Sequence, residues 1–197
     1  MLELAAPHPR FHRSFLAAAD EFLTAGEVSY ANIPALRPDA FSEDLRYTRE
    51  DLEDPVAFAR LARWAASQKE PEAERPAGYV PCTELWMVVE DEYVGRITLR
   101  HELTDLLLTW GGHIGYSVRP SARRRGYATR ALALMLPVAA GLDIDPVLVT
   151  CDPDNAGSRG AIENNGGVYE DTREGKLRFW VAAAAPDLAG SPRGGQR

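Results

Sequence analysis

Apolar residues recur at helical spacing in two segments of the first third of the chain. Their spacing of three and four predicts helices over Pro9–Thr24 and Pro55–Gln68, the second with a proline at its opening. A short strand is predicted at Leu2–Ala5, and Gly26–Tyr47 is aperiodic enough to predict a loop. The apolar sides of the two helices consist of Phe11, Phe15, Ala18 and Phe22, and of Phe58, Leu61, Trp64 and Ala65.

Strand patterns dominate the next part of the chain. Glu84–Glu90 and Val94–Arg100 flank a short connection that suits an antiparallel hairpin. Leu103–Trp110 is apolar enough for a buried helical turn or a strand, and the pattern leaves both open. Gly111–Val118 has apolar residues at every second position, which predicts a strand. Pro146–Cys151 is a further predicted strand, parallel to the previous one.

Between these last two strands lies a basic turn followed by a helix. Pro120 ends the first strand, because proline cannot donate to a strand ladder. The helix is predicted from Tyr127 to Leu136 and to be ended by Pro137 and Gly141. A strand, a short turn and a helix whose first amides are free form a cradle for an anion.

The chain closes with a predicted hairpin and a tail. Val168–Asp171 and Lys176–Val181 are its strands, and Ala182–Arg197 is rich in alanine, glycine, proline and serine, which predicts disorder. Helices, a hairpin and then alternating strands and helices indicate an α/β protein. We expect one domain over residues 1–181 and a disordered tail over 182–197.

Charge is unevenly distributed along the chain. The net charge is −7, yet the segment 119–130 carries five arginines and no acidic residue. A basic patch on an acidic protein favours a compact polyanion such as coenzyme A over a long nucleic acid, which the rest of the surface would repel. A solvated basic turn and a nucleic-acid contact are the alternatives. The arginines are Arg119, Arg123, Arg124, Arg125 and Arg130.

Other classes of protein find little support in the sequence. Cys82 and Cys151 lie in different segments, and therefore no disulfide framework or zinc motif is expected. His8 and His12 are four residues apart without a further ligand nearby, and hence no metal is predicted. No apolar run reaches the length of a membrane span, and the beginning of the chain lacks the pattern of a signal peptide. We therefore expect a cytoplasmic protein that contacts no membrane and no nucleic acid.

Two motifs resemble those of the GNAT superfamily of N-acetyltransferases. RRRGYA, at Arg123–Ala128, is similar to the family's pyrophosphate loop, (Q/R)xxGx(G/A), and NAGSRGAIENNGG, at Asn155–Gly167, is similar to its Asn-to-Gly helix. The phrases RHEL and GGHIGYSVRP resemble a largely uncharacterised bacterial branch of predicted acetyltransferases, although Thr104 stands where that branch favours asparagine. The resemblance implies the GNAT fold, with a mixed twisted central sheet of about six or seven strands flanked by helices.

The resemblance also implies a reaction and a donor site. An acetyl group would pass from acetyl-CoA directly to a primary amine in a ternary complex, without a metal. Main-chain groups of the Tyr116 strand would bind the pantetheine arm, and the amide of Val118 would polarise the thioester carbonyl. Asn155 and Ser158 would contact the pantetheine or the nucleotide. The donor-binding residues implied are Tyr116, Ser117, Val118, Arg123, Arg124, Arg125, Gly126, Tyr127, Ala128, Thr129, Asn155 and Ser158.

The family's acid and base do not carry over. A tyrosine that serves as acid in many members is Ile162 here, and a glutamate base of one subgroup is Thr150. An alkylamine must lose a proton before it attacks, at a cost of about 4.6 kcal/mol at pH 7, and so we expect a replacement base. His113, His101 and Glu102 are the candidates, although strand alternation turns His113 away from the thioester unless a bulge intervenes.

Three questions stay open at the level of sequence. The acceptor amine is not specified by any motif, and a homodimer is one assembly that the sequence allows. A GNAT fold can also bind acyl-CoA without turning it over, as a sensor module. Measured acetyl transfer, as opposed to tight binding alone, separates the enzyme from the sensor.

Overall fold

A computed structural model describes residues 1–27 and 47–183 of the chain. Most of the predicted loop, 28–46, and the predicted tail from residue 184 onward lie outside the described residues. The described part contains the strands β1 (Glu3–Ala5), β2 (Cys82–Val89), β3 (Glu92–Arg100), β4 (Ile114–Val118), β5 (Val147–Cys151), β6 (Val168–Arg173) and β7 (Lys176–Val181). Its α-helices are α1 (His12–Thr24), α2 (Pro55–Ser67), α3 (Tyr127–Ala140) and α4 (Ala156–Glu163).

All seven strands belong to one mixed sheet. Their order is β1-β2-β3-β4-β5-β7-β6, and β4 and β5 form its parallel pair, with the other neighbouring strands antiparallel. The predicted parallel connection through α3 and both predicted hairpins are confirmed. In the hairpin of β2 and β3, Glu90 and Asp91 have φ of 52° and 63°, the left-handed pair that a two-residue turn requires.

Each face of the sheet carries its own apolar core. On one face, α1 and α2 bring Phe15 and Phe58 onto Trp86 and Tyr93, with ring centroids 5.0 to 6.0 Å apart. On the other face, α3 and α4 cover the sheet with residues such as Met135. The alternation predicted for the strands produces this arrangement, because successive side chains point to opposite faces.

Two elements differ from the sequence-based expectation. Pro137 does not end its helix: α3 continues to Ala140, where buried Ala139 packs in the core and the amide of Gly141 bonds to the carbonyl of Pro137 at 3.0 Å. The undecided segment before β4 is helical, with a π-helical turn at Leu107–Gly111, but it is not buried, because 51% of the surface of Trp110 is exposed. No helix within 1–27 and 47–183 has the length and apolar character to span a membrane.

Candidate active site

The sheet opens where β4 and β5 separate. The two strands pair at a single position, Ile114 opposite Val149, and the amide of His113 adds one bond to the carbonyl of Leu148 at 2.7 Å. Across the described part of the chain, the remainder of β4 has no strand partner on this side. A parallel pair that separates after one register position leaves a wedge with an unpaired main-chain edge, into which an extended ligand fits as an additional strand.

The register of β3 and β4 determines which amides face the wedge. The amide of Arg119 bonds to the carbonyl of Val94 at 2.9 Å, and Ser117 lies opposite Arg96. Main-chain groups of successive strand residues point to alternate sides. Those of Ser117 are therefore directed toward β3, whereas those of Tyr116 and Val118 point into the wedge.

Immediately after β4, the chain forms a loop of free amides. Gly126, with φ of 75°, stands at the N-cap of α3, and no side chain caps this helix. Within the described residues, no protein acceptor takes a hydrogen bond from the amides of Arg124–Thr129; the first amide of the helix to be bonded is that of Arg130, to the carbonyl of Gly126 at 3.0 Å. A Cβ at Gly126 would meet no protein atom within 4 Å. Free amides at a helix N-terminus beside open space form an anion site.

The basic patch predicted from the sequence is smaller in the structure. Arg123 forms an ion pair with Glu27 and also donates to the carbonyl of Val118 at 3.1 Å. Arg119 forms one with Glu21, whose carboxylate also accepts from Ser121. Although partial burial opposes ionisation, these partners lower the pKa of Glu21 to about 2. Glu21 of α1 and Glu27, which follows that helix, thus neutralise two of the five arginines, which the sequence pattern could not reveal.

Exposed arginines remain at the loop itself, namely Arg124, Arg125 and Arg130. Arg124 adopts a φ of 62°, and Arg125 donates to the carbonyl of Ser121 at 3.3 Å. Their charges lie beside the free amides and are available to an incoming polyanion.

The start of α4 forms the opposite side of the wedge. The side chain of Asn155 caps this helix, accepting from the amide of Ser158 at 2.9 Å, and Gly166 has a left-handed φ of 79°. The hydroxyl of Tyr116 bonds to the hydroxyl of Ser158 at 2.9 Å. Burial raises the pKa of Tyr116 to about 12, and the tyrosine is therefore a neutral phenol at physiological pH.

A cavity of about 500 Å³ continues the wedge across the sheet. At its mouth, Lys176 forms an ion pair with Asp152 and lies 4.6 Å from the ring centroid of Trp110. The hydroxyl of Thr150 anchors Trp110 by donating to its carbonyl at 2.9 Å. The remaining lining residues are Gly78, Tyr79, Val80, Cys82, Arg100, Thr104, Leu106, Leu107, Gly111, Ile114, Gly115, Tyr116, Cys151, Asn155 and Ser158.

None of the three base candidates lines this cavity. His113 accepts from the amide of Leu148 at its Nδ1 (2.9 Å) and contacts the ring of Trp180 edge-on. Desolvation and then the charge of Arg100 lower the pKa of His113 to about 4. In this neutral imidazole the accepting Nδ1 is occupied, so the proton resides on Nε2 and no lone pair is free for base catalysis.

The other two candidates are likewise not among the residues that line the cavity. His101 forms a hydrogen bond with Thr83 at 2.9 Å, and burial, followed by the charge of Arg75, lowers its pKa. Glu102 is exposed. The structure therefore does not bring the three candidates together.

Sequence reasoning missed two side chains of this region. The Nη1 of Arg100 donates to the carbonyls of Gly111 and Gly112, both at 3.0 Å, and its guanidinium lines the cavity. For Tyr116 only the main chain was expected to act, but its hydroxyl connects β4 to α4. An arginine at the end of an apolar strand was the available signal for Arg100. In the residues described, no group of three or more potential metal ligands occurs.

Comparisons with known proteins agree with this geometry. The family model for an acetyltransferase (GNAT) domain matches residues 32–168, more than half of the chain. None of the curated proteins compared with the sequence matches it.

Solved acetyltransferase structures are similar over almost the whole chain. RimJ of Mycobacterium smegmatis, solved with CoA-disulfide, has a TM-score of 0.61 and 16% identity, covering 92% of this chain and 82% of its own. The ribosomal L7/L12 N-acetyltransferase RimL, solved with coenzyme A, has a TM-score of 0.58, 14% identity and coverages of 93% and 96%. The microcin C7 immunity acetyltransferase MccE, solved with acetyl-CoA and AMP, has a TM-score of 0.57 and 11% identity, covering 92% of this chain and 92% of its own. At these identities the structures establish the shared fold, and the family match establishes that the chain belongs to the GNAT family of acetyltransferases.

Proposed function

We propose that this protein transfers the acetyl group of acetyl-CoA to a primary amine by direct attack within a ternary complex. The observation that carries the proposal is the wedge between β4 and β5, with unpaired main-chain groups on one side and a loop of free amides at its end. An elongated donor with a polyanionic end fits this shape and charge. Acetyl-CoA or coenzyme A in the solved relatives MccE, RimJ and RimL supports the choice of donor.

The donor would lie with its pyrophosphate on the amides of Arg124–Thr129. Because that loop follows β4, the pantetheine arm would run back along the strand, and its thiol end would reach the cavity. The side-chain nitrogen of Asn155, Nδ2, is available to the pantetheine arm, since the side-chain oxygen already caps α4. Ser158 and the hydroxyl of Tyr116 would flank the arm on the same side of the sheet.

We assign polarisation of the thioester carbonyl to the amide of Tyr116 in preference to that of Val118. Both amides are directed toward the wedge, but Tyr116 lines the cavity, whereas Val118 lies nearer the loop and is not among the lining residues. The amide of Val118 would bind the pantetheine. A preorganised donor at the developing oxyanion contributes about 3 kcal/mol to lowering the barrier.

Proton transfer would not need a dedicated side chain. Among the described residues that line the cavity, the acidic side chain is that of Asp152, which forms an ion pair with Lys176. A coenzyme A thiol with a pKa near 8.5 leaves as thiolate at pH 7 for about 2 kcal/mol, so the departing group requires no strong acid. The amine would lose its proton to water.

Two measurements on the full chain test the function. Titration calorimetry with acetyl-CoA and coenzyme A measures donor binding, and release of free thiol in the presence of an amine panel measures transfer. Binding together with amine-dependent thiol release is expected. Binding without release for every amine would instead indicate the sensor module, and absence of binding would overturn the donor site.

A further inference from the structure

Arg100 lies on the side of the sheet opposite to the donor's helices. Arg96 and Arg100 are four residues apart on β3, and their side chains therefore point to the same face of the sheet. Arg96 lies opposite Trp86, which belongs to the core beneath α1 and α2. The Tyr116 hydroxyl and Ser158 lie on the other face, with α3 and α4. Since strand side chains alternate between faces, the cavity's guanidinium faces the side left free by the donor.

The hydrogen bonds of Arg100 leave one edge of its guanidinium available. Nη1 is occupied by the carbonyls of Gly111 and Gly112. Within the described residues no acceptor binds Nε or Nη2, and no carboxylate lies within 4.0 Å of Arg100. The Nε and Nη2 edge of an arginine presents two parallel N–H donors that match the two oxygens of a carboxylate. The two carbonyls fix the plane of the fork before a ligand arrives.

The guanidinium lies beside the part of β4 at which transfer is proposed. An ideal Cβ on Gly115 would lie 3.5 Å from Nη2 and 3.6 Å from Nη1 of Arg100. Gly115 directly precedes Tyr116, and consecutive Cα atoms are about 3.8 Å apart. A group bound by Arg100 would therefore lie beside Gly115, next to the residue whose amide we assign to the thioester carbonyl.

The charges of the cavity favour a monoanion. Lys176 and Asp152 neutralise each other at the mouth, which leaves the single positive charge of Arg100 among the lining side chains. A phosphate dianion would retain an uncompensated charge in a half-buried site, whereas a carboxylate would not. The lining near the mouth is apolar and aromatic, with Tyr79, Leu106 and Trp110.

From these observations, which rest on the proposed function, we propose that the acceptor is a free α-amino acid with an apolar or aromatic side chain. Its carboxylate binds the Nε and Nη2 edge of Arg100, and its side chain lies against Trp110 and Leu106. The α-amine attacks the thioester carbon, a C–N bond forms as the C–S bond breaks, the amine proton passes to water and the thiolate leaves. Arg100 thereby becomes a residue that determines specificity.

Matched acceptor pairs test this proposal on the full chain. The kcat/KM for acetylation of leucine, phenylalanine and tryptophan, expressed per unprotonated amine, is compared with that of their carboxamides and with that of phosphoethanolamine. The free acids are expected to be better acceptors by about tenfold or more, since a charged hydrogen-bonded pair discriminates by that factor. Equal values for acid and amide, preference for the phosphate, or no transfer to any free acid would overturn the proposal.

Variants then attribute the preference to the guanidinium. Arg100→Gln is expected to bring the ratio of acid to amide close to one, and Arg100→Lys to retain part of it, because a lysine keeps the charge but lacks the fork. Arg63→Gln, the control at an exposed arginine of α2 that does not line the cavity, is expected to retain the ratio. A ratio that persists in Arg100→Gln would contradict the assignment.

Acetyl-CoA affinity and melting temperature distinguish failure of this proposal from failure of the function. If Arg100→Gln does not fold, the comparison of acids and amides in the wild-type protein still shows whether the acceptor is a free amino acid. Wild-type protein that binds acetyl-CoA and acetylates only other amines refutes the acceptor class but retains the function. Protein that does not bind acetyl-CoA refutes the function itself.

Discussion

The proposed donor site and the proposed acceptor site are built in different ways. The proposed donor half consists of β4, the amides of Arg124–Thr129 and the start of α4, and most of its groups are main-chain atoms or helix caps. The proposed acceptor half consists of Gly78–Val80, the end of β3 at Arg100 and the turn Thr104–Gly111, and side chains dominate it. Main-chain recognition depends on local geometry that short motifs encode, whereas side-chain recognition depends on residues that are distant in sequence.

The sharpest test of the donor half is Gly126→Val. The substitution would place side-chain atoms where the phosphates approach and would force a β-branched residue to a φ of 75°. We expect acetyl-CoA affinity to fall by about tenfold or more, measured by calorimetry.

Gly166→Val is the matched control, because Gly166 has a φ of 79°, is equally open and lies at the far end of α4. Both variants should lose about 1 to 2 kcal/mol of stability, but only the first should lose affinity. Equal acetyl-CoA affinities in both variants would show that the loop at Gly126 does not bind the donor.

Tyr116→Phe tests the connection between the donor half and the cavity. A phenol with a pKa of about 12 cannot readily protonate a thiolate whose conjugate acid is near 8.5, since the transfer is uphill by roughly 5 kcal/mol. We therefore expect kcat to fall by at most about tenfold, through loss of a hydrogen bond worth about 1 kcal/mol. The pH profile should retain its shape, and a shifted alkaline limb would identify Tyr116 as a true acid.

The pH dependence of acetyl transfer should be determined by the acceptor amine. Because no free base lines the described cavity, kcat/KM should rise with pH according to the amine's own pKa. The variants His113→Asn, His101→Ala and Glu102→Gln should each change the rate by no more than about twofold. An acidic limb that disappears in one of these variants would assign the base to that residue.

The last prediction concerns stability and not activity. The pKa of His113 is lowered from about 6.5 to about 4, so between these values the unfolded chain binds more protons than the folded one. The stabilisation is complete above pH 6.5 and is lost as pH falls through 4.

Denaturant unfolding from pH 7 to 4 should therefore show a decline that is shallower in His113→Asn, whose side chain can still accept from Leu148. Arg63→Gln, at an exposed arginine of α2, is the control, as it should leave the slope unchanged. An unaltered slope in His113→Asn would show that the decline arises elsewhere, for instance at His101.

Contiguous sequence predicted much of the donor half. The alternation of β4, the glycine before α3 and the Asn155 cap each follow from residues within a few positions of one another, and the structure contains all three. The charge of the loop was overestimated. Glu27, 96 residues before Arg123, neutralises it, and no local pattern relates the two residues.

The sequence by itself determined the α/β pattern, the two hairpins, the strand-loop-helix cradle and the family resemblance, because these depend on periodicity and on short-range backbone geometry. Only the tertiary structure decided which side chains share the cavity. It brought Arg100 beside Gly115 and directed His113 to Leu148, since the register between strands determines which distant residues meet.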